Sequence, residues 1–419
     1  MRFASRKGLD IRVKGAPAQR VSEQCTPWSC AILGEDTPGL QPELRVSVGD
    51  KVRTGQILFT DRKSLDISFA SPATGIVKEV TDGPKRTLGR LVVEVADDDP
   101  LDVLVPEATG ERRGMVSLLL GSGLWPSFLA RPFGRIPLAG AEPSAIFVTA
   151  VDTNPLAADP AIVLSPDLAL FERGVEALAL LTDGPVYVCQ AEGAELVPAT
   201  GRIRVVKFHG PHPSGLPGTH IHRLLPVSAK RTAWHIGYQD VVAVGDLLLN
   251  RRYRSKRIIA RGGEASAKPC LVETRMGASL SDIARADGGD SKALLLSGSV
   301  LSGRKSDYLG RYHTQMTMFA RSGVAGGWSF PSRLRALVAR GSIGQMIPLE
   351  SFDYAMPLDI LPVPLLRALS VGDTETAVRL GCLELVEEDL ALMSYLCPGR
   401  TDYGGLLRRM LDDIVDQRG

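Results

Sequence analysis

The chain has 419 residues, 44% of them hydrophobic and 23% charged, so it is long enough for several globular domains and too apolar for a disordered protein. Lys plus Arg number 49 against 47 for Asp plus Glu, and the net charge of +2 argues against a dedicated nucleic-acid-binding protein. No run of about 18 apolar residues occurs, and the N-terminal MRFASRKGLDIRVKG lacks an apolar signal stretch. We therefore expect a chain that neither spans a membrane nor is secreted.

The N-terminal part predicts a β-rich module. Apolar residues alternate over residues 46–80 and are interrupted by glycine turns, an order similar to the sandwich of biotinyl and lipoyl carrier domains. The tip between the two halves carries Lys63, without the methionine neighbours of a modified carrier lysine. We predict a barrel-sandwich module over residues 1–105 and a solvated turn at Lys63.

The next part predicts an α/β domain. Strand-like runs at residues 144–150 and 184–189 flank a helix candidate at residues 167–181. This β, helix, β order predicts a parallel strand pair and a Rossmann-like domain over residues 106–255. The loop 151–156 follows the first strand, and ligands of such domains bind beyond the carboxyl ends of the strands.

Shorter strands follow the α/β domain. Candidates lie at residues 256–260, 270–274 and 293–297, with a helix at 279–286 capped by Ser279 or Ser281. Strands folded against one helix predict a small β-grasp, ubiquitin-like module, which we place with a connecting segment at residues 256–345.

The C-terminal end, residues 346–419, predicts a helical domain. Asp373 is a candidate N-cap, a second helix runs from Glu387 to Cys397, and a third places Leu406 and Met410 on one apolar face. That apolar stripe is our candidate for a surface that docks onto partner proteins.

The six cysteines are spread along the chain without a C-x-x-C motif: Cys25, Cys30, Cys189, Cys270, Cys382 and Cys397. Such spacing argues against a zinc ribbon, an iron–sulfur ligand run or a disulfide scaffold. We expect reduced, mostly buried thiols.

Five of the six histidines fall between residues 209 and 235. If Thr-His220-Ile-His222 is extended, its two imidazoles lie on one side of a strand. The candidate ligand or partner loop comprises His212, His220 and His222, held by Gly-Pro turns. The alternatives are a transition-metal site, which lacks a nearby cysteine and has only the distant Asp240 as carboxylate, and histidines that are hydrogen-bonded for structure alone.

Residues 121–135 read GSGLWPSFLARPFGR. A phosphate cradle needs bare backbone, which Leu124 and Trp125 obstruct. The same segment suits a flat apolar ring with polar edges, such as a quinone headgroup. The candidate quinone-proximal residues are Trp125, Phe128, Arg131, Phe133 and Arg135. The alternative is an apolar core with exposed arginines.

Nucleophilic and acid–base catalysis find no support in the sequence. There is no G-x-S-x-G motif, no cysteine with a nearby histidine partner and no paired carboxylates. We therefore predict no catalytic residue, no cofactor-binding residue and no metal ligand in this chain.

Several blocks resemble the family formed by the A subunit of the sodium-translocating NADH:quinone oxidoreductases: KGLDIRVKGAP, FVTAVDTNPLAADP, FHGPHPSGLPGTHIHRLLPV, YQDVVAVGDL, MPLDILP, LGCLELVEEDLAL and CPGRTDYGGLLR. The resemblance implies a peripheral subunit on the cytoplasmic face of the bacterial inner membrane. Its partners would be five other subunits, some integral to the membrane and some flavin-bearing, which pass electrons from NADH to ubiquinone and export Na⁺. It also implies a structural role with a contribution to the quinone-reduction end.

Kinship with the C subunit of the Rnf complex and with the flavoprotein of complex I follows from the same resemblance. Those relatives hold FMN in a glycine-rich loop and iron–sulfur clusters in a cysteine run. Here only GSGLWPSF and the distant Cys382 and Cys397 stand at those places, and two thiolates do not hold a four-iron cluster. The resemblance implies that flavins, the iron–sulfur centre and the NADH site belong to other subunits. The alternative is a free-standing flavin and iron–sulfur NADH dehydrogenase similar to the Rnf protein.

Overall fold

The computed structural model describes residues 1–96, 110–289, 292–320 and 344–417, which form four β-sheets and a C-terminal group of helices. The first two strands are β1, Arg2–Ala4, and β2, Ala18–Gln24. The predicted connecting segment between the third module and the helical end falls partly on residues 321–343, outside the described residues.

Two small antiparallel sheets form the N-terminal sandwich. Their strands are β3 Ser29–Leu33, β4 Pro42–Leu44, β5 Lys51–Val52, β6 Ile57–Asp61, β7 Ser64–Ala70, β8 Gly75–Asp82 and β9 Leu88–Val95. The order is β3-β9-β8-β5 in one sheet and β4-β6-β7 in the other. Stacked Phe59 and Phe69 lie in the core, with ring centroids 4.7 Å apart. Lys63 is exposed at the β6–β7 turn, as predicted.

A six-stranded sheet forms the centre of the second domain. After helix α1, Arg112–Gly121, and a 3-10 turn, Trp125–Ser127, come β10 Leu129–Arg131, β11 Ile146–Ala150, β12 Val186–Gln190, β13 Ile203–His209 and β14 Ala233–Gly237. The strand order is β1-β13-β12-β11-β14-β10, parallel except for β10. The predicted parallel pair, β11 with β12, is confirmed.

Helices cover both faces of this sheet. They are α2 Pro160–Leu164, α3 Leu168–Leu178, α4 Pro217–Leu224 and α5 Tyr238–Asn250. Ile146 and Val148 share a core with α3 and α5, while Phe147 packs in another core with Ile221 of α4. Because strands of a parallel sheet are buried on both faces, β11 is apolar at successive positions.

Two glycines allow α3 and α5 to pack closely. A Cβ on Gly174 would lie 2.1 Å from the Val241 carbonyl oxygen, and one on Gly245 would lie 1.8 Å from that of Leu170. Larger residues at either position would push the helices apart, so glycine sets the distance between them.

The third sheet has the order β18-β17-β19-β15-β16-β2. Its further elements are β15 Lys256–Gly262, β16 Cys270–Arg275, α6 Leu280–Asp287, β17 Leu294–Ser297, β18 Arg304–Lys305 and β19 Gln315–Phe319. β15 pairs antiparallel with β16 and parallel with β19. Of the two predicted caps for α6, Ser279 is the N-cap and accepts a hydrogen bond from the Asp282 backbone N–H.

The C-terminal end is helical, as predicted. Its helices are α7 Ser351–Ala355, α8 Pro362–Val371, α9 Thr374–Arg379, α10 Ala391–Leu396 and α11 Tyr403–Asp416, with 3-10 turns at Cys382–Glu384 and Glu387–Leu390. Asp373 caps α9 by accepting from the Thr376 backbone N–H at 3.0 Å. The apolar face of α11 is buried in this domain's own core, so our prediction that this stripe docks onto partners is wrong.

The N-terminal strands cross from the sandwich to the other sheets. β1 lies parallel to β13, and β2 lies parallel to β16 at the edge of the third sheet. Between them, Leu9, Ile11 and Val13 pack against the core of the C-terminal helices. The predicted module of residues 1–105 therefore differs from the observed pairing, because edge strands elsewhere in the fold provide backbone partners that a local pattern does not reveal.

Candidate functional site

A cavity of about 640 Å³ lies at the carboxyl ends of β11 and β14. Its walls come from the 3-10 turn that contains Asp36, from the parallel sheet, from the region 298–315 of the third domain and from the region 386–409 of the helical domain. A pocket of about 300–1,000 Å³ is typical of small-molecule sites. The cavity is our candidate functional site because several domains converge on it.

The strand order explains why a cavity forms at this edge. β12 lies on one side of β11, and β14 lies on the other side. The connections that leave the carboxyl ends of β11 and β14 therefore diverge. In open α/β sheets such a point is where ligands bind. The loop 151–156 lies at this end of β11, as predicted, and Val151, Asp152 and Asn154 line the cavity.

Ion pairs neutralise most of the acidic side chains on the cavity wall. Three arginines form these pairs: Arg257 with Asp240, Arg304 with Glu35 and Asp36, and Arg408 with Glu387. The pairs of Arg257 and Arg304 join different domains around the cavity, whereas Arg408 and Glu387 both belong to the helical domain.

Asp152 has no such arginine. Its Oδ1 accepts hydrogen bonds from the backbone N–H of Asn154 at 2.8 Å and from that residue's Nδ2 at 2.9 Å. Among the described residues, no basic side chain forms an ion pair with it. Burial raises the pKa of Asp152 to about 6, although the two hydrogen bonds from Asn154 act to lower it.

Glu388 is the second acidic residue with weak compensation. Its Oε1 lies 3.4 Å from Arg131, whose other nitrogen is 2.7 Å from Asp389. Burial first, and then the charge of Asp389, raises the pKa of Glu388 to about 7, while Arg131 acts in the opposite direction. The charge of Asp152 also raises it, so the two carboxyl groups interact across the cavity.

Three buried polar atoms at this edge have no hydrogen-bond partner among the residues that the structure describes: Thr149 Oγ1, Asn154 Oδ1 and His235 Nε2. All three residues line the cavity. Burial lowers the pKa of His235 well below its usual value, with the charge of Arg131 acting in the same direction, so its imidazole is neutral. Buried polar atoms are nearly always paired, so these atoms mark the polar end of a binding site.

The predicted aromatic residues lie behind the cavity wall. Trp125 and Phe128 are fully buried and pack on Trp234, with ring centroids 5.4–5.6 Å apart in this cluster. The indole N–H of Trp125 donates to the Pro137 carbonyl at 2.8 Å. From this segment it is Ser127, together with Leu129 and Gly134, that lines the cavity.

The other three predicted quinone-proximal residues join the second domain to the C-terminal helices. Arg131 is fully buried and donates to the Glu384 carbonyl and to Asp389. Arg135 pairs with Asp412 at 2.8 Å, and Phe133 packs against the helical core. Their side chains do not line the cavity.

The predicted histidine loop is helical where we expected a strand. Pro217 opens α4, and both His220 and His222 lie on it. Two positions apart on a helix they point to different sides, so the prediction of two imidazoles on one side of a strand is wrong. His220 packs on the Phe208 ring, and Nδ1 of His222 lies 2.8 Å from Glu384.

His212 and His220 are buried and neutral. Burial lowers the pKa of His212 to about 4 and that of His220 to about 3. Thr153 lies 3.3 Å from Nδ1 of His212, and the Ser214 carbonyl lies 3.1 Å from Nε2 of His220. These contacts describe histidines that hold the loop in place.

The described part of the chain contains no group of three or more His, Cys, Asp or Glu side chains placed to hold a metal ion. The six cysteines are buried and unpaired with one another, as predicted. Within the same residues, no helix has both the length and the apolar character needed to cross a membrane.

Most of the cavity wall is not predictable from the sequence. Glu388, Tyr312 and Thr149 lie far apart along the chain and carry no spacing signal. Only the strand-end position of Asp152 was readable, because a polar loop directly after a buried strand marks the ligand-binding edge of such a sheet.

Three stretches of the chain match known protein families. Residues 3–96 match the NqrA N-terminal barrel-sandwich hybrid domain, residues 111–253 the NqrA second alpha/beta domain, and residues 258–307 the NQRA C-terminal domain. The predicted order of a barrel-sandwich domain followed by an α/β domain is confirmed.

Full-length relatives are named as the A subunit of Na(+)-translocating NADH-quinone reductase. The one from Saccharophagus degradans is 41% identical over 98% of this chain and 98% of its own length. That from Klebsiella pneumoniae subsp. pneumoniae is 40% identical over 98% and 99%, and that from Neisseria meningitidis serogroup B 41% over 98% and 98%. Among solved structures, an NAD+-reducing [NiFe]-hydrogenase is 12% identical over 73% of this chain and 61% of its own, with a TM-score of 0.42.

Proposed function

Because the chain belongs to the family formed by the A subunit of Na(+)-translocating NADH-quinone reductase, we propose that it is a peripheral, cytoplasmic-face component of a redox-driven sodium pump in a bacterial inner membrane. In this proposal it has a structural role and contributes to the quinone-reduction end of the complex. Its partners are the other five subunits, integral or flavin-bearing, which supply the membrane spans and use NADH, flavins, an iron–sulfur centre and Na⁺.

The cavity supports a quinone-related role most directly. Its volume of about 640 Å³ accommodates a substituted ring with the first part of an isoprenoid tail. The unpaired atoms of Thr149 and His235 can meet polar ring substituents, and Leu216, Pro217 and Ile236 supply apolar wall. We place the ubiquinone headgroup in the cavity, with the segment from Trp125 to Arg135 as the support behind one wall.

A titration of the purified chain with a short-chain ubiquinone tests this placement. We expect saturable binding that weakens in Thr149→Val and His235→Phe, because each removes an unpaired polar atom from the cavity at nearly constant volume. The matched control is Phe133→Ala, whose side chain packs on the helical core outside the cavity and which should bind as the wild type does. Loss of binding in Phe133→Ala alone would move the site to the predicted aromatic segment. No saturable binding by the wild type would leave the chain a scaffold.

The alternative is a free-standing flavin and iron–sulfur NADH dehydrogenase. In our proposal no cofactor is bound by this chain, since bulky Leu124 and Trp125 are buried where a phosphate cradle needs bare backbone. Cys382 and Cys397 are both buried within the helical domain. An absorption spectrum of the purified chain decides between the two, because flavins and iron–sulfur clusters absorb visible light. We expect a colourless protein.

We also propose the finer domain assignment. Parallel β11 to β14 with helices on both faces support a Rossmann-like domain at residues 106–255. A hairpin, a helix and a last strand parallel to the first support a β-grasp module at residues 256–345. The sandwich then occupies residues 1–105, apart from the two strands lent to other sheets, and the helical domain residues 346–419. Limited proteolysis should cut at the exposed Arg251 or Arg252, beside the proposed boundary at residue 255, before it cuts within a domain.

A further inference from the structure

The acidic residues of the cavity fall into two groups. Glu35, Asp36, Asp240 and Glu387 are matched by arginines, and Asp402 accepts from the Gly405 backbone N–H as the N-cap of α11. Asp152 and Glu388 remain, one on the α/β domain and one on the helical domain. Both are partly exposed to the open cavity, and a ligand that fills the cavity removes this water, so a proton is the natural counter-charge for these two carboxylates.

The hydrogen bonds of Asp152 leave one of its oxygens for a ligand. Both donors, the backbone N–H and Nδ2 of Asn154, end on Oδ1. Oδ2 of a protonated Asp152 can then donate to an acceptor in the cavity. Asn154 positions this carboxyl group, and the unpaired Oδ1 of Asn154 lies in the same polar end.

Glu388 shares its cation with stronger partners. Arg131 donates to Asp389 at 2.7 Å and to the Glu384 carbonyl at 2.9 Å, whereas its distance to Glu388 is 3.4 Å. Arg131 therefore leaves most of the charge on Glu388 uncompensated, and a proton on Glu388 makes it a hydrogen-bond donor on the part of the wall that the helical domain supplies.

We propose that Asp152 and Glu388 bind the ligand of this cavity as protonated carboxyl groups, so that filling the cavity draws protons onto this chain. The inference rests on the proposed quinone site. A quinone ring presents carbonyl oxygens, which only accept hydrogen bonds, so its recognition needs donors and is opposed by carboxylates. The two carboxyl groups supply donors from two domains.

The surroundings of each group set the sign of the pH dependence. Glu388 is faced by Arg131, Asp389, Glu387 and Asp152. Asp152 is faced by Asn154 and lies near Tyr238, whose pKa its charge raises in addition to the effect of burial. Besides the acidic residues named above, the titratable or charged groups on the wall are Arg257, Arg304, Arg311, Arg408, Arg409, Tyr312, His235 and His313. Burial raises the pKa of Asp152 to about 6 and that of Glu388 to about 7, so both donors are lost as the pH rises through that range.

Binding of a short-chain ubiquinone to the full-length chain at about pH 6 and about pH 8 tests the inference. We expect the Kd to rise at least about tenfold between these values, the change for one required proton. Proton uptake on adding the quinone, followed with an indicator dye in weak buffer near neutral pH, should accompany binding.

Amide substitutions separate donation from titration. Asp152→Asn and Glu388→Gln keep a hydrogen-bond donor in the form of an amide, which does not titrate. Each variant should therefore bind the quinone more tightly than the wild type at high pH, and its Kd should depend less on pH. Asp152→Ala should bind weakly at both values. The matched control is Asp413→Asn, an exposed position on α11 away from the cavity, which should keep the wild-type pH dependence.

The possible outcomes are distinct. A wild type that binds no quinone overturns the proposed quinone site. Quinone binding with the same Kd at both pH values, or a pH dependence unchanged in both amide variants, overturns the proton linkage and leaves the site intact. Because two independent variants are tested, misfolding of one does not decide the result.

Discussion

The ion pair between Arg131 and Asp389 is the buried contact that most directly joins the α/β domain to the helical domain. Arg131 is fully buried, Asp389 is 1% exposed, and the nitrogen-to-oxygen distance is 2.7 Å. Arg131→Met removes the cation and leaves Asp389 buried, while the Val386 backbone N–H still donates to the same oxygen at 2.8 Å. The uncompensated buried carboxylate should destabilise this variant much more than the loss of a surface ion pair would destabilise the protein.

The expected size follows from burial and chain length. Loss of one partner of a buried ion pair costs about 3–5 kcal/mol. The unfolding entropy of a chain of 419 residues is about 0.9 kcal/mol/K, so the melting temperature of Arg131→Met should fall by about 3–6 °C. Arg135→Met is the matched control, because its pair with Asp412 is about one-third exposed and is worth less than about 1 kcal/mol.

Thermal unfolding followed by calorimetry measures both changes. The double variant Arg131→Met with Asp389→Asn removes the orphaned charge and keeps an acceptor for the Val386 N–H, so it should regain about half of the loss or more. If Arg131→Met melts no lower than Arg135→Met, or if the double variant is as unstable as the single one, the reasoning about the buried charge is refuted.

Three further predictions concern packing, pH and the indole hydrogen bond. Gly245→Ala should lower the free energy of unfolding by about 1–3 kcal/mol or more, because the new Cβ would clash with α3. Gly121→Ala should raise the free energy of unfolding by about 0.4–1 kcal/mol, because a Cβ at this position has no atom within 4 Å. Urea titration measures both changes. His220 is neutral in the fold with its pKa lowered to about 3, so the unfolded chain protonates first and stability should fall as the pH drops below about 6.5, by up to about 1.4 kcal/mol per pH unit. Urea midpoints from about pH 7 to pH 4 should show a shallower slope in His220→Gln, and an equal slope would contradict the assignment. Trp125→Phe should lower the free energy of unfolding by about 1–3 kcal/mol, because the Pro137 carbonyl loses its hydrogen-bond donor. A variant that melts at the same temperature as the wild type would refute this prediction.

Local patterns predicted most of the elements. The apolar runs that became β11 and β12 are buried on both sheet faces, and the helix between them has one apolar face, so each is identifiable from a short window. Helix caps are also local, which is why Ser279 and Asp373 were found. The loop after β11 was placed at the ligand-binding edge for the same reason.

Contacts between distant residues were beyond this kind of prediction. The sequence around Arg131 suggests a hydrogen-bond donor to a ring, but Arg131 donates instead to Asp389, which lies 258 positions away in the sequence. Thr-His220-Ile-His222 alternates as a strand does, yet Pro217 starts a helix there and tertiary packing of Ile221 decides the conformation. The cavity itself needs the sheet, the third domain and the helical end together.

The central claim, that this chain contributes to the quinone end of a sodium-pumping complex, is tested most directly in membranes of a host whose own copy has been deleted. Ubiquinone reduction by NADH and NADH oxidation by an artificial acceptor are measured side by side, with and without this chain supplied. We expect Na⁺-dependent ubiquinone reduction to be absent without the chain and restored with it, while the artificial-acceptor activity of the flavin-bearing partner persists in both. Full ubiquinone reduction in membranes that lack the chain would contradict it.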